Sequence, residues 1–173
     1  MRFENRTSLR ILGLDPGLAR MGWGAIEMTG TRLSHVAHGV LTTDAKAGLG
    51  PRLMVLFESL SEIVAQLEPQ AMAIEQAFVH KDPSAALKLG QARAVALLAA
   101  ARAGLEIAEY APNHVKKCVV GVGHAGKDQI QAMVRHLLPT ARVESADAAD
   151  ALALAIAHAH LAGTRARIEA ALA

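Results

Sequence analysis

The chain has 173 residues, 52% of them hydrophobic, with 18 basic against 16 acidic residues and a net charge of +2. That is enough for one domain with a sizeable core, and far short of the charge excess of a histone-like protein, so a nucleic-acid partner is permitted and not demanded. One cysteine, Cys118, excludes an internal disulfide and fits a reducing cytosol; with no dyad around it in sequence, it reads as a small packing residue.

Met1 to Ser8 is polar, mixed in charge and without a signal-peptide core. Arg10 to Leu14 reads as a buried strand that runs into Asp15, and Asp15-Pro16-Gly17 as a turn. Met21 to Met28 is a second strand, Gly30 a hairpin turn, and Arg32 to Thr43 a third strand. Pro51 to Glu68 carries Leu53, Leu56, Leu60, Ile63, Val64 and Leu67 at helical spacing, and Pro69 stops it. Ala71 to Glu75 is a fourth strand, followed by a loop from Gln76 to Pro83. Ser84 is the expected N-cap of a helix running to Arg102, with Gly104 behind it. Leu105 to Tyr110 is a fifth strand and Pro112 to Val119 a short helix. A glycine loop, Gly121 to Gly126, leads to a helix from Lys127 to Leu138, and a last helix runs from Asp147 to about Ala162, closed by Gly163. The longest apolar stretch, Ala94 to Ala101, is too short to span a bilayer, so no membrane partner and a cytoplasmic location are expected. No repeat, linker or boundary divides the chain. The expectation is one α/β domain over 1–173, with its core at about 10–162, a short N-terminal extension and a C-terminal tail, and a five-stranded mixed sheet flanked by helices.

Four acids stand out. Asp15 and Glu75 each close an apolar strand, and parallel pairing of strands one and four would bring them together. Asp147 and Asp150, three apart, project from one face of the last helix. Each has an ordinary explanation: a turn residue, a loop-entry acid, and a pair that suits the helix dipole. Gathered at one point, the four would repel one another and some would stay protonated. Two divalent cations about 3.5–4 Å apart would resolve the repulsion and support in-line attack on a phosphodiester. An oxygen-only set favours Mg²⁺ or Mn²⁺ over zinc.

Leu14-Asp15-Pro16-Gly17, Gly22-Trp23-Gly24, Ala73-Ile74-Glu75-Gln76, Ala85 to Arg93 and Ala146 to Ala153 resemble the RuvC family of bacterial Holliday-junction resolvases, and Tyr110 to Lys117 and Val119 to Gly123 are similar to its next segment. The resemblance runs in order from about Ile11 to His160. It implies an RNase H-like fold and a Mg²⁺-dependent homodimer, with Mn²⁺ able to substitute, that makes symmetric nicks in four-way junction DNA during recombination and repair. It also implies cooperation with the RuvA–RuvB branch-migration complex. The family's catalytic, metal-holding acids fall on Asp15, Glu75, Asp147 and Asp150, its active-site lysines on Lys116 and Lys127, and its junction-engaging loop aromatic on Phe78. In this family the helix after Ser84 helps form the dimer. The chain departs from the pattern at Met21, where the family carries Thr.

Aromatic residues make up 3% of the chain, so Phe78 in a polar loop reads either as an anchor folded onto the core or as a base-stacking wedge worth about 1–3 kcal/mol per base. Lys81 and Lys88 follow it and could hold phosphates; alone, each is an ordinary solvated charge. Gly121 to Lys127 matches two nucleotide-binding patterns, but Asp128 stands where a phosphate loop needs Ser or Thr, and a helix, not a strand, leads in. It reads better as a glycine loop that presents Lys127 to a phosphate backbone. Leu87, Gln91, Ala94, Leu98 and Ala101 line one face of the Ser84 helix, either as core contact or as a face for another helix. An actin-like ATPase would need a duplicated second half for which this length has no room. A catalytically silent junction-binding protein is disfavoured by the intact acid set.

Overall fold

The computed structural model describes residues 8–76 and 82–172. Five strands, β1 (Ser8–Asp15), β2 (Arg20–Thr29), β3 (Arg32–Thr42), β4 (Ala71–Glu75) and β5 (Glu106–Tyr110), form one sheet in the order β3-β2-β1-β4-β5. The first three form an antiparallel meander, while β4 joins β1 and β5 joins β4 in parallel. Each parallel step needs a crossover, supplied by α1 (Leu49–Leu67) and by α2 (Pro83–Arg102). Three more helices follow: α3 (Pro112–Val120), α4 (Lys127–Leu137) and α5 (Ala146–Leu172). This is the mixed sheet flanked by helices that the element order implies. Among the described residues, no helix is long and apolar enough to cross a membrane.

The sheet divides two cores. On one face, Leu12 and Leu14 of β1 and Met72 and Ile74 of β4 pack with Leu56 and Leu60 of α1 and Ala92, Val95, Ala96, Ala99 and Ala100 of α2. On the other, Ile11, Ile26 and Ala73 meet α5, with Val115, Val119, Ile130 and Val134 of α3 and α4 behind it. Helix α5 is therefore enclosed: every residue from Ala151 to Ala159 is buried. Its alanine content suits a helix covered on all sides, where small side chains permit close approach.

Three expectations are corrected. Helix α2 starts at Pro83 with Asp82 as its N-cap, not Ser84. Proline suits the first helical position because it has no N–H to leave unpaired, so the Ser84 N–H needs an acceptor, and Asp82 Oδ1 provides it at 2.9 Å. Helix α5 is not closed by Gly163 and continues to Leu172. A mid-helix glycine costs only about 1 kcal/mol relative to alanine, and here the Thr164 hydroxyl and the Arg167 guanidinium bond back to the His160 and Gly163 carbonyls. The stripe from Leu87 to Ala101 is not core contact: Leu87 is 66% and Leu98 62% exposed, because α2 turns its alanine-and-valine face inward. Met21 is fully buried in the α1–α2 core, so the side chain that replaces the family's Thr lies on the sheet face away from α5.

Candidate active site

Strand alternation sets the direction of the first two acids. Leu12 and Leu14 point to the α1–α2 core, so Ile11, Gly13 and Asp15 point towards α5. In β4, Met72 and Ile74 likewise face one way and Ala73 and Glu75 the other. Gly13 is level with Ala73 and Leu14 with Ile74, so Asp15 and Glu75 stand side by side where the two parallel strands end.

The helix-borne acids are placed by glycines. A Cβ on Gly13 would overlap the backbone carbonyl of Ala151, and one on Gly22 would overlap the carbonyl of Asp147 itself. One on Gly24 would lie 2.5 Å from Leu152 Cγ. Gly13 pairs with Gly24, and Gly22 with Asp15, so the three glycines form a shallow bed across β1 and β2. Helix α5 settles into it at backbone contact, which carries its first turn, with Asp147 and Asp150, to the end of β1.

Asp15, Glu75 and Asp150 line an open cavity of about 300 Å³, with Lys116 and Val115 from α3, Lys127 and Ile130 from α4, and Leu154 from α5. Burial, then the Glu75, Asp150 and Asp147 carboxylates, push the Asp15 carboxyl from an ordinary 3.8 up to about 7, against a smaller opposing pull from Lys127. Burial also raises Glu75, with Asp150 adding to it and Lys127 and Lys116 opposing. Asp150 is raised by burial too, while Lys127 draws it back down. The helix-borne acids each have a cation partner: Arg20 Nε lies 2.7 Å from Asp147 Oδ2, and Lys127 Nζ 3.8 Å from Asp150 Oδ2. As they stand, no three His, Cys, Asp or Glu side chains among the described residues are grouped tightly enough to grip an ion. The donor set nevertheless fits a hard divalent cation. It is oxygen-only, and the mutual repulsion that holds Asp15 near 7 is what such a charge would relieve.

Lys116 and Lys127 thus reach the cavity, and Lys88 does not; it is exposed on the second turn of α2. Phe78 and Lys81 lie outside the described residues. Helix α3 ends at Gly121, whose positive φ of 88° lets its N–H cap the Lys117 carbonyl, so a helix precedes the glycine loop and the nucleotide-loop context is absent. Cys118 is half-buried against the α5 core, as a packing residue should be.

Two arginines had no assigned role. Arg20 holds Asp147 from 127 positions away. Arg93, on α2, donates to the Glu75 carbonyl at 3.2 Å and pairs with Glu109, clamping the end of β4. Tyr110, level with Glu75, meets buried His158 through a 2.8 Å Oη–Nδ1 hydrogen bond that ties β5 to α5. These contacts have no local sequence signal, because each joins elements far apart in the chain.

A family model described as "Crossover junction endodeoxyribonuclease RuvC" matches residues 11–158. A RuvC from Parvibaculum lavamentivorans is 58% identical over 165 residues, covering 95% of this chain and 94% of its own. One from Cereibacter sphaeroides is 55% identical, covering 95% and 98%. Among solved structures, T. thermophilus RuvC in complex with a Holliday junction substrate superposes with a TM-score of 0.86 at 30% identity, over 91% of this chain and 96% of that one. The yeast mitochondrial resolvase Ydc2, with a TM-score of 0.62 at 11% identity, shares the fold, here the RNase H-like one. By sequence and by fold, the chain belongs to the RuvC family of crossover junction endodeoxyribonucleases.

Proposed function

We propose that this chain is an endonuclease that resolves Holliday junctions by metal-dependent hydrolysis of two strands of like polarity, and that it does so as one nuclease domain per subunit of a homodimer. The observation that carries the reading is the convergence of strand-end and helix-start carboxylates beside two lysines in one open cavity, with Asp15 pushed up to about 7 by its acidic neighbours. Asp15, between Glu75 and the helix-borne pair, would be shared by two Mg²⁺ ions, with Glu75, Asp147 and Asp150 completing their ligands. When bound, such ions supply a water nucleophile at neutral pH and stabilise charge on the phosphodiester oxygens, and Mn²⁺ would substitute. Lys127 and Lys116 stand on the α3–α4 side of the cavity, where they would grip the entering phosphate and offset its developing charge. Phe78, Lys81 and Lys88 are proposed as contacts further along the DNA.

A two-fold dimer matches the two symmetry-related strands of a junction, and the exposed apolar face of α2 with Leu87 and Leu98 suits the contact between subunits. Cooperation with RuvA and RuvB, and a bacterial cytoplasmic setting, follow from the family.

The test uses a labelled four-way junction and a linear duplex, in Mg²⁺ and in Ca²⁺. Symmetric nicks on the junction alone, with Mg²⁺ only, are expected. Asp15→Asn, Glu75→Gln, Asp147→Asn and Asp150→Asn should each lower cleavage by about two to three orders of magnitude or more, on the scale of losing a preorganised charge-stabilising group, while junction binding survives. Full activity in Asp147→Asn would remove that residue from the cation set, and junction binding without nicking by the unaltered protein would favour a silent binding module.

A further inference from the structure

Asp147 differs from the other three acids. Asp15, Glu75 and Asp150 line the cavity, and Asp147 does not. Its backbone is fixed, because the Asp147 carbonyl rests on Gly22 with no room for a Cβ between them. What remains adjustable is its side chain, and Oδ2 is turned to the Arg20 guanidinium at 2.7 Å. Arg20 opens β2 two residues before Gly22, and its side chain is 57% exposed. The pair is therefore solvated and separable by side-chain rotation alone. A guanidinium donates hydrogen bonds only and is always charged, so it occupies the same carboxylate lone pairs that a hard cation would need.

We propose that Arg20 is a positioning residue that holds the Asp147 carboxylate aside in the cation-free protein, so that cation loading and release of Arg20 are two halves of one exchange. The proposal rests on the cation reading above. It makes the fourth ligand conditional: Asp15, Glu75 and Asp150 face the cavity in either state, and Asp147 joins when the ion outcompetes the guanidinium. Arg20 would then weaken cation affinity by the worth of an exposed ion pair, which corresponds to about a two- to fivefold change.

The experiment measures Mn²⁺ uptake by the full chain, from the electron paramagnetic resonance of free Mn²⁺, for the unaltered protein, Arg20→Met, Asp147→Asn and the double variant. Arg20→Met should tighten Mn²⁺ binding about two- to fivefold, and should have no effect once Asp147 is Asn. Thermal melts without Mn²⁺ establish that all four proteins are folded, and Arg20→Gln repeats the measurement with a different neutral side chain. Equal tightening with and without the Asp147 carboxylate would mean that Arg20 repels the ion through space, and overturns the exchange. Normal uptake indifferent to Arg20 overturns the exchange alone. An unaltered protein that takes up no Mn²⁺, or an Asp15→Asn variant that binds it as well, overturns the cation reading and the exchange with it.

Discussion

The two faces of the sheet are built on different rules. The face under α1 and α2 is filled by large side chains, with Leu12, Leu14, Met21, Leu56, Leu60, Met72 and Ile74 fully buried. There the helices stand off at side-chain distance and volume is what must be conserved. The face under α5 is paved at its critical end with Gly13, Gly22 and Gly24, and the helix lies at backbone contact. One face supplies stability through burial. The other uses close approach to fix where the first turn of α5 begins, and hence where two of the four acids sit. Position and stability are thus placed on opposite sides of one sheet.

The largest expected effect lies on the filled face and concerns stability alone. Leu60→Ala removes a fully buried side chain from α1 and should cost about 2–5 kcal/mol, as large-to-small core substitutions do. For a chain of this size that lowers Tm by about 2–4 °C per kcal/mol, while cleavage per folded molecule at 25 °C stays unchanged. Junction cleavage that falls with Leu60→Ala in a fully folded sample would break the separation of the faces. Next comes Gly22→Ala, whose new methyl must displace the Asp147 carbonyl. A misplacement of about 1 Å can cost about a hundredfold in rate, which is about 2.7 kcal/mol in the barrier. Gly50→Ala is the matching control on α1: its Cβ would meet nothing within 4 Å, so it should leave cleavage intact and stabilise the helix by about 0.5–1 kcal/mol. Steady-state cleavage assays and thermal melts on the three variants read out both quantities.

The four acids were legible because each interrupts an apolar pattern, and the order of strands gave Asp15 and Glu75 a reason to meet. Element boundaries fell within a residue or two wherever proline or glycine set them, as at Pro69 and Pro112. The later end of α5 was misjudged, because a glycine signals a stop only when nothing beyond it sustains the helix, and here Thr164 and Arg167 do. The glycine bed could not be read from spacing. Gly13, Gly22 and Gly24 look alike in sequence to Gly50 and Gly90, which meet nothing, and only the placement of α5 distinguishes them. Arg20 was silent for the same reason: its partner is brought to it by the register of β2 under α5, and no local pattern encodes that distance.

The smallest effect sharpens the comparison by locating where folding free energy is held back. Burial and three neighbouring carboxylates raise Asp15 from 3.8 to about 7, and Glu75 and Asp150 move in the same direction, all on the α5 side. A carboxyl whose folded pKa exceeds its unfolded one holds its proton more tightly when folded. Its favourable contribution is complete below about 3.8 and is lost as the pH rises through about 7. Asp15→Asn cannot ionise, so in the absence of divalent cations it should melt near the unaltered protein at pH 4 and several degrees above it at pH 8, at about 2–4 °C per kcal/mol. His35 and His158 are lowered by burial and act in the opposite sense, but both are present in the two proteins and cancel in the difference. Added Mg²⁺ should erase the gap by stabilising the unaltered protein, since a cation relieves the repulsion that the Asn variant has already lost. Equal melting temperatures at pH 8 would mean that water already screens the acids, and that the α5 face fixes position without holding any stability in reserve.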